Sequence, residues 1–280
     1  MQLSETILLP SAFSKVQSDI AGRFAATVQS DPDAAWNAYR SIPETLGGRL
    51  VNVDLARHLC AEYAGRGLSV DDVRRCRTHL TPASYWTAKC YCDALFVKLM
   101  AQLGFTTVVF TSGGPASGKS TAVRQVCREL IRVGATWDGA VIYDTSFANA
   151  ESAKRLLRSC GSRRVRILFA SRPFEIAMHS MIDRALRPGS DFGRYISATR
   201  MARLHHEALT TMLGLDNAIR FGEFAGQDLA IIGYSRTQSI EICPISPEQL
   251  RQQPIPTVQE LTHAAFATLE QRRSAIPEDL

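Results

Sequence analysis

Apolar residues follow a helical rhythm through the first hundred positions and then change period. Residues 12–29 carry a helical apolar pattern, and Asp31-Pro32-Asp33 opens a short helix through Ala34–Tyr39. Gly47-Gly48 breaks the chain, and Arg49 to Asp54 alternates like a short strand. Ser69 with Asp72 forms a capping box for a helix over 70–80. Thr81-Pro82 then starts a long helix that Gly104 ends. From Phe105 the pattern is strand followed by helix. Strands are expected at 105–111, 140–143 and 165–170, with helices at 119–133, 149–160 and 173–186. A helix over 199–214 follows, then late strands at Ile219-Arg220-Phe221 and Leu229–Tyr234. A C-terminal helix over 257–273 lies behind a proline-rich joint at Pro244, Pro247, Pro254 and Pro256. Alternating strands and helices require crossover connections, hence a mostly parallel sheet. The expected fold is α/β, a P-loop three-layer sandwich with an N-terminal helical region. Its expected divisions are 1–104, 105–240 and 241–280.

The strand at 105–111 runs into Gly113-Gly114-Pro115-Ala116-Ser117-Gly118-Lys119-Ser120, followed by Thr121 and a helix. This satisfies G-x-x-x-x-G-K-[ST] in the strand–loop–helix context that the motif requires. The glycines let successive backbone N–H groups face phosphate oxygens, and the helix start favours an anion. Lys119 is expected on the β- and γ-phosphates of ATP, and the Ser120 hydroxyl on Mg²⁺. The second strand ends in Asp144. Strand carboxyl ends face the ligand crevice of a parallel sheet, so Asp144 is a candidate base toward an attacking hydroxyl or a magnesium ligand. A helix cap is the plain alternative, because Asp144-Thr145-Ser146 precedes a helix.

Composition narrows the classes. The chain has 280 residues, 45% apolar and 21% charged, ordinary for a globular protein. No stretch is long and apolar enough to span a bilayer, and MQLSETILLPSAFSK has no basic lead before an apolar run. A cytoplasmic location is therefore expected, either bacterial or in a host cell after delivery. The seven cysteines follow no disulfide or zinc spacing and read as reduced buried thiols. A net charge of +5 suits an anionic nucleotide. The basic runs are short, with no interleaved aromatics, which argues against nucleic acid.

The loop, the strand ending in Asp144 and Thr145, ANAESAKRLL, VRILFASRPFEIAMHSMIDRAL, GRYIS and RLHHEAL form an ordered set. Over about residues 105–236 that set resembles the bacterial zeta-toxin family of P-loop kinases. Upstream, GGRLVNVDLARHLCAEYA and THLTPASYW look like the leader region of larger members. The resemblance implies a small-substrate kinase acting on a hydroxyl of a nucleotide-like molecule. Zeta toxins use UDP-N-acetylglucosamine, and related effector kinases use the adenosine ribose of NAD. It also implies an antitoxin or chaperone partner. By motif position it carries phosphate and magnesium contacts onto Lys119 and Ser120. It makes Asp144, with Thr145, the acidic site near the substrate, and Arg194 a phosphate-contacting arginine. The strand end here reads Asp144-Thr145-Ser146-Phe147-Ala148, without the arginine that zeta toxins often carry. The segment Val51–Arg57 could replace a toxin strand that bears a base aspartate, which leaves Asp144 and Asp54 both open as the base.

Asp54 and Arg57, three residues apart, would share a helical face and could grip a polar substrate. A buried Asp–Arg pair that caps the following helix is the equal alternative. Arg172, Arg184 and Arg187 are further candidates for stabilising transferred phosphate, set against plain surface solvation. Of His205 and His206, one is expected toward the core. The function expected is ATP-dependent phosphorylation of a small-molecule hydroxyl. The alternative is a P-loop ATPase or switch that acts on a protein partner.

Overall fold

The computed structural model describes residues 13–102, 104–132, 139–187, 192–235 and 243–275. They fall into two compact units: 13–102 with 184–187 and 192–195, and 104–132, 139–183, 196–235 and 243–275.

The first unit is helical. Helix α1 (Lys15–Ser30) is started by a capping box between Ser14 and Gln17, and α2 (Pro32–Arg40) by the Asp31 carboxylate accepting from Ala34 N–H. A three-residue strand, β1 (Leu50–Asn52), leads into α3 (Val53–Ala56) and then α4 (Ala61–Ala64). The buried Tyr39 hydroxyl donates to Leu50 O at 2.7 Å and accepts from Asn52 N–H at 2.8 Å. The strand is shorter than the sequence pattern suggests because the Asn52 side chain caps α3 through Leu55 N–H. Asp54 therefore begins a helix.

The long helix of this unit, α5 (Val70–Met100), corrects the expectation of a break at Thr81-Pro82. Pro82 lies inside it, and a proline there removes one helical hydrogen bond. Side-chain donors add bonds to neighbouring carbonyls of the helix. Thr81 Oγ1 donates to Arg77 O, Ser84 Oγ donates to Leu80 O, and Arg57 Nη2 donates to Thr81 O. The helix ends at Met100, before Gly104.

The second unit alternates as expected: β2 (Thr107–Ser112), α6 (Lys119–Arg132), β3 (Ala140–Asp144), α7 (Ala150–Ser159), β4 (Arg164–Ser171), α8 (Phe174–Leu186), α9 (Ala198–Arg220) and β5 (Leu229–Ser235). The last residues of α8 pass into the first unit. Ile219 and Arg220 finish α9 and Phe221 caps it, exposed, so the late strand expected there is absent. The helical apolar period through Met201, Ala208, Met212 and Leu215 overrides a three-residue alternation. The proline-rich joint holds two further elements, β6 (Cys243–Ile245) and α10 (Pro247–Arg251), before α11 (Val258–Arg272). Pro244 is tolerated because β6 is a sheet edge, pairing antiparallel with β5 alone within this unit.

The described strands of this unit run in the order β3-β2-β4-β5-β6, parallel except for β6. Val108, Phe110, Val141, Ile142, Val165, Ile167 and Leu168 are buried in this sheet. The chain leaves β2 toward β3 on one side and returns past it to β4 on the other. Right-handed crossovers then put α6 and α7 on opposite faces. The carboxyl end of β2 is thus the point where the winding reverses, and there a crevice opens in such sheets. Burial pushes the Cys60 thiol up to about 11 and Cys160 up to about 12, so both remain unreactive thiols. Among the described residues, no helix is long and apolar enough to cross a membrane.

Candidate nucleotide site

The sequence Gly113 to Ser120 forms the turn from β2 into α6, at the winding reversal. Its backbone takes positive φ at Gly113 (130°), Ala116 (56°) and Gly118 (104°). Gly113 is required on two counts: its φ, and a Cβ that would lie 2.4 Å from Ala170 O. A Cβ on Gly114 would meet the His205 ring at 2.3 Å.

Four consecutive carbonyls of the loop are engaged by side chains. Lys119 Nζ donates to Gly113 O and Gly114 O, each at 3.0 Å. His205 Nε2 lies 2.8 Å from Pro115 O, and a carbonyl only accepts, so this nitrogen carries the proton. Arg172 Nη1 donates to Ala116 O at 3.3 Å and to Ser180 Oγ at 2.8 Å. These contacts hold the groups that would repel an anion against protein donors. The start of α6, whose first N–H groups lack helical partners, heads the loop.

The Ser117 hydroxyl is buried in the loop without a hydrogen-bond partner. A buried polar atom left unpaired costs about 1–3 kcal/mol, so an anion that accepts from this hydroxyl would recover that cost. The loop therefore fits a polyphosphate. Ser120 is exposed in the first turn of α6, and Thr121 N–H closes the turn on Gly118 O.

Asp144 ends β3 opposite Thr111 of β2. Thr111 Oγ1 donates to Asp144 Oδ1 at 2.5 Å and accepts from Thr145 N–H at 3.2 Å. The Thr145 hydroxyl accepts from Phe147 N–H, so it shapes the loop after β3. Ser112 Oγ and Gly113 N–H both donate to Ser146 O, at 3.0 and 3.4 Å, stitching that loop to the first glycine of the phosphate loop. The carboxylate and the phosphate loop thus stand at the carboxyl ends of adjacent strands. Among the described residues, no group of three or more His, Cys, Asp or Glu could hold a metal ion. Mg²⁺ in a phosphate loop needs none, being bound by one or two protein oxygens with phosphates and water; Ser120 and Asp144 are the residues that could hold it.

The remaining expected site residues belong to the first unit. Asp54 accepts from Arg57 Nη1 at 3.2 Å and pairs with Arg194 Nη1 at 2.6 Å. Arg57 is 1% exposed. Its Nε donates to Ser84 Oγ, its Nη2 donates to Thr81 O, and its guanidinium lies 4.6 Å from the Tyr63 ring centroid. Burial, with the nearby Arg194 charge, lowers its pKa, against the opposing pull of Tyr63 and Asp54. It remains a guanidinium nonetheless. Arg77 flanks the same ring at 5.3 Å. Asp54, with its side chain 41% exposed, is the member of this group that solvent reaches most.

No protein-family model matches the chain, and no curated protein does. What the site can do is therefore read from its own geometry.

Sequence reasoning missed Thr111 and the loop-bracing roles of His205 and Arg172. Thr111 carried no motif. His205 looked like one of two helical histidines; His206 instead places Nδ1 2.9 Å from Pro256 O. Arg172, a candidate for phosphate contact, braces Ala116 O. Arg184 and Arg187 are exposed. Burial pushes the His205 pKa down to about 4, partly offset by the Pro115 carbonyl and reinforced by the Lys119 charge. The ring is neutral near pH 7.

Proposed function

We propose that this chain is an ATP-dependent kinase that transfers the γ-phosphate to a hydroxyl of a nucleotide-like small molecule. The observation that carries the reading is a phosphate loop with four braced carbonyls beside a strand-end carboxylate held by Thr111. In this reading the backbone of Gly113–Ser120 and the Ser117 hydroxyl bind phosphate oxygens. Lys119 adds positive charge where the transferred group carries negative charge. Ser120 would hold Mg²⁺, which supplies further charge neutralisation when bound. Asp144 takes the proton of the acceptor hydroxyl, and Thr111 fixes the orientation of that carboxylate. The acceptor class, UDP-N-acetylglucosamine or NAD, follows from the zeta-toxin resemblance, as do a toxin or effector role in a cytoplasm and an antitoxin or chaperone partner.

The test is incubation with ATP, Mg²⁺ and a panel of sugar nucleotides and dinucleotides, read by mass spectrometry. A metabolite that gains one phosphate, lost with Lys119→Ala, supports the kinase. ATP hydrolysis with no phosphorylated product refutes it and makes the chain a nucleotide-driven switch.

A further inference from the structure

The outer wall of the phosphate loop is supplied by a residue far along the chain. His205 sits in the middle of α9, and its ring lies directly over Gly114, where even a methyl group would collide with Cδ2, Cγ and Nε2. Phe174, the first residue of α8, meets the ring edge-on at 5.1 Å and 87°. That contact leaves the ring little rotational freedom. The ring's N–H is thereby aimed at Pro115 O, 2.8 Å away. Pro115 has no N–H and a fixed φ, so its carbonyl is the one backbone hydrogen-bonding group by which this residue can be held. Ala116 follows at φ 56°, a conformation that a residue with a Cβ does not favour, so the next step of the loop needs holding.

The geometry points to His205 as a positioning residue for the phosphate loop: through Gly114 and Pro115 O it holds the backbone in its anion-binding shape and so sets nucleotide affinity. It touches no reacting group. The consequence for affinity rests on the kinase reading, whereas the effect on the loop does not.

The test uses the full chain with His205→Phe, which keeps a flat ring and removes the donor, and His205→Gln, which restores a donor. Loss of one hydrogen bond corresponds to about a 3- to 10-fold change in an equilibrium. In the nucleotide-free protein, hydrogen exchange of the peptide covering Gly113–Thr121 should quicken by about that factor in His205→Phe. It should return toward wild type in His205→Gln, with α9 exchange and the melting temperature unchanged. Weakening of the ATP-Mg²⁺ dissociation constant by the same factor would extend the effect to affinity. Wild-type exchange at the loop in His205→Phe overturns the proposal. Faster exchange spread over α8 and α9 with a lowered melting temperature also overturns it, since His205 would then be a general core residue. If wild-type protein binds no ATP, the kinase reading fails on its own, and the exchange comparison still decides the role of His205. Should His205→Phe not fold, Gly114→Ala in the wild-type and His205→Ala backgrounds replaces it. The alanine should disturb loop exchange only where the ring remains, and equal disturbance in both backgrounds refutes the contact.

Discussion

Arg57 offers the sharpest contrast between a substrate contact and a structural ion. Arg57→Ala removes a guanidinium that is 1% exposed and makes three hydrogen bonds. Breaking a buried ion pair costs about 3–5 kcal/mol when it strands a buried charge. Here it would not, because Asp54 is partly solvated and keeps Arg194 at 2.6 Å. Ser84 Oγ also keeps a partner in Leu80 O. What remains is the loss of the guanidinium's extra bond to Thr81 O, about 1.5–3 kcal/mol for a hydrogen bond with a charged partner. To this is added the packing lost against Tyr63, about 1 kcal/mol for a ring–cation contact. The sum is about 3 kcal/mol, or roughly 6–12 °C in melting temperature at the 2–4 °C per kcal/mol of domains this large. Scanning calorimetry of Arg57→Ala, with Arg57→Met to refill the volume, measures it. Arg194→Ala should cost far less, since its pair with Asp54 borders solvent. A wild-type melting temperature for both Arg57 variants, with a raised KM for the phosphorylated metabolite, would refute the structural assignment and return Arg57 to substrate binding.

Lys119→Ala should abolish measurable ATP-Mg²⁺ binding by calorimetry while the far-UV spectrum and melting temperature hold, because its bonds to Gly113 O and Gly114 O are local to the loop. Retained binding would remove the loop from the mechanism. Asp144→Asn should leave ATP binding nearly intact and lower transfer by at least 100-fold, as a missing base does. Binding that weakens only when Mg²⁺ is present would reassign Asp144 to the metal. The depressed His205 pKa gives a third outcome. The unfolded chain binds this proton near 6.5 and the folded chain only near 4, so the stability is present above pH 6.5 and lost as pH falls through 4. At about 1.4 kcal/mol per unit the loss is at most roughly 3 kcal/mol. The difference between wild type and His205→Phe in urea titrations from pH 7 to 4 measures it, and parallel pH profiles would contradict it.

The features legible in the sequence are those coded locally. The phosphate loop is a run of residues whose own backbone freedom makes the turn. The strands at 107–112, 140–144 and 164–171 are short apolar runs bounded by glycine or polar residues. The illegible features depend on partners distant in the chain. Thr111 meets Asp144 across 33 positions, Arg172 meets Ala116 across 56, and His205 meets Pro115 across 90. A proline is a helix-start signal by itself, and the contacts that hold α5 along this stretch, such as Arg57 to Thr81 O across 24 positions, carry no local mark. The segment at 184–195 joins the first unit with no local mark of doing so. Arg194 meets Asp54 there, although their motifs lie far apart.

Backbone strain shows where this fold departs from what its residues prefer. Among the described residues, three other than glycine have positive φ: Leu46, Ala116 and Phe147. Leu46 caps a short turn before Gly47-Gly48, a common use of that conformation. The other two lie in the loops that leave the carboxyl ends of β2 and β3, the two strands that carry the phosphate loop and Asp144. Each costs of order 1–3 kcal/mol and persists only if its surroundings compel it. Ala116 is compelled through its carbonyl by Arg172 and through the preceding one by His205. Phe147, with φ 49°, is compelled by its buried ring, 5.2 Å from Phe110, and by its N–H donating to the Thr145 hydroxyl. A ring that only needed burial could be buried with relaxed backbone. Holding it this way fixes Thr145 and Ser146, and Ser146 O fixes the first glycine of the phosphate loop. The strain on both sides therefore acts on one arrangement, the register of Asp144 against the phosphate loop. In the proposed kinase, phosphoryl transfer would depend on that register, because catalysis of this kind is mostly positioning.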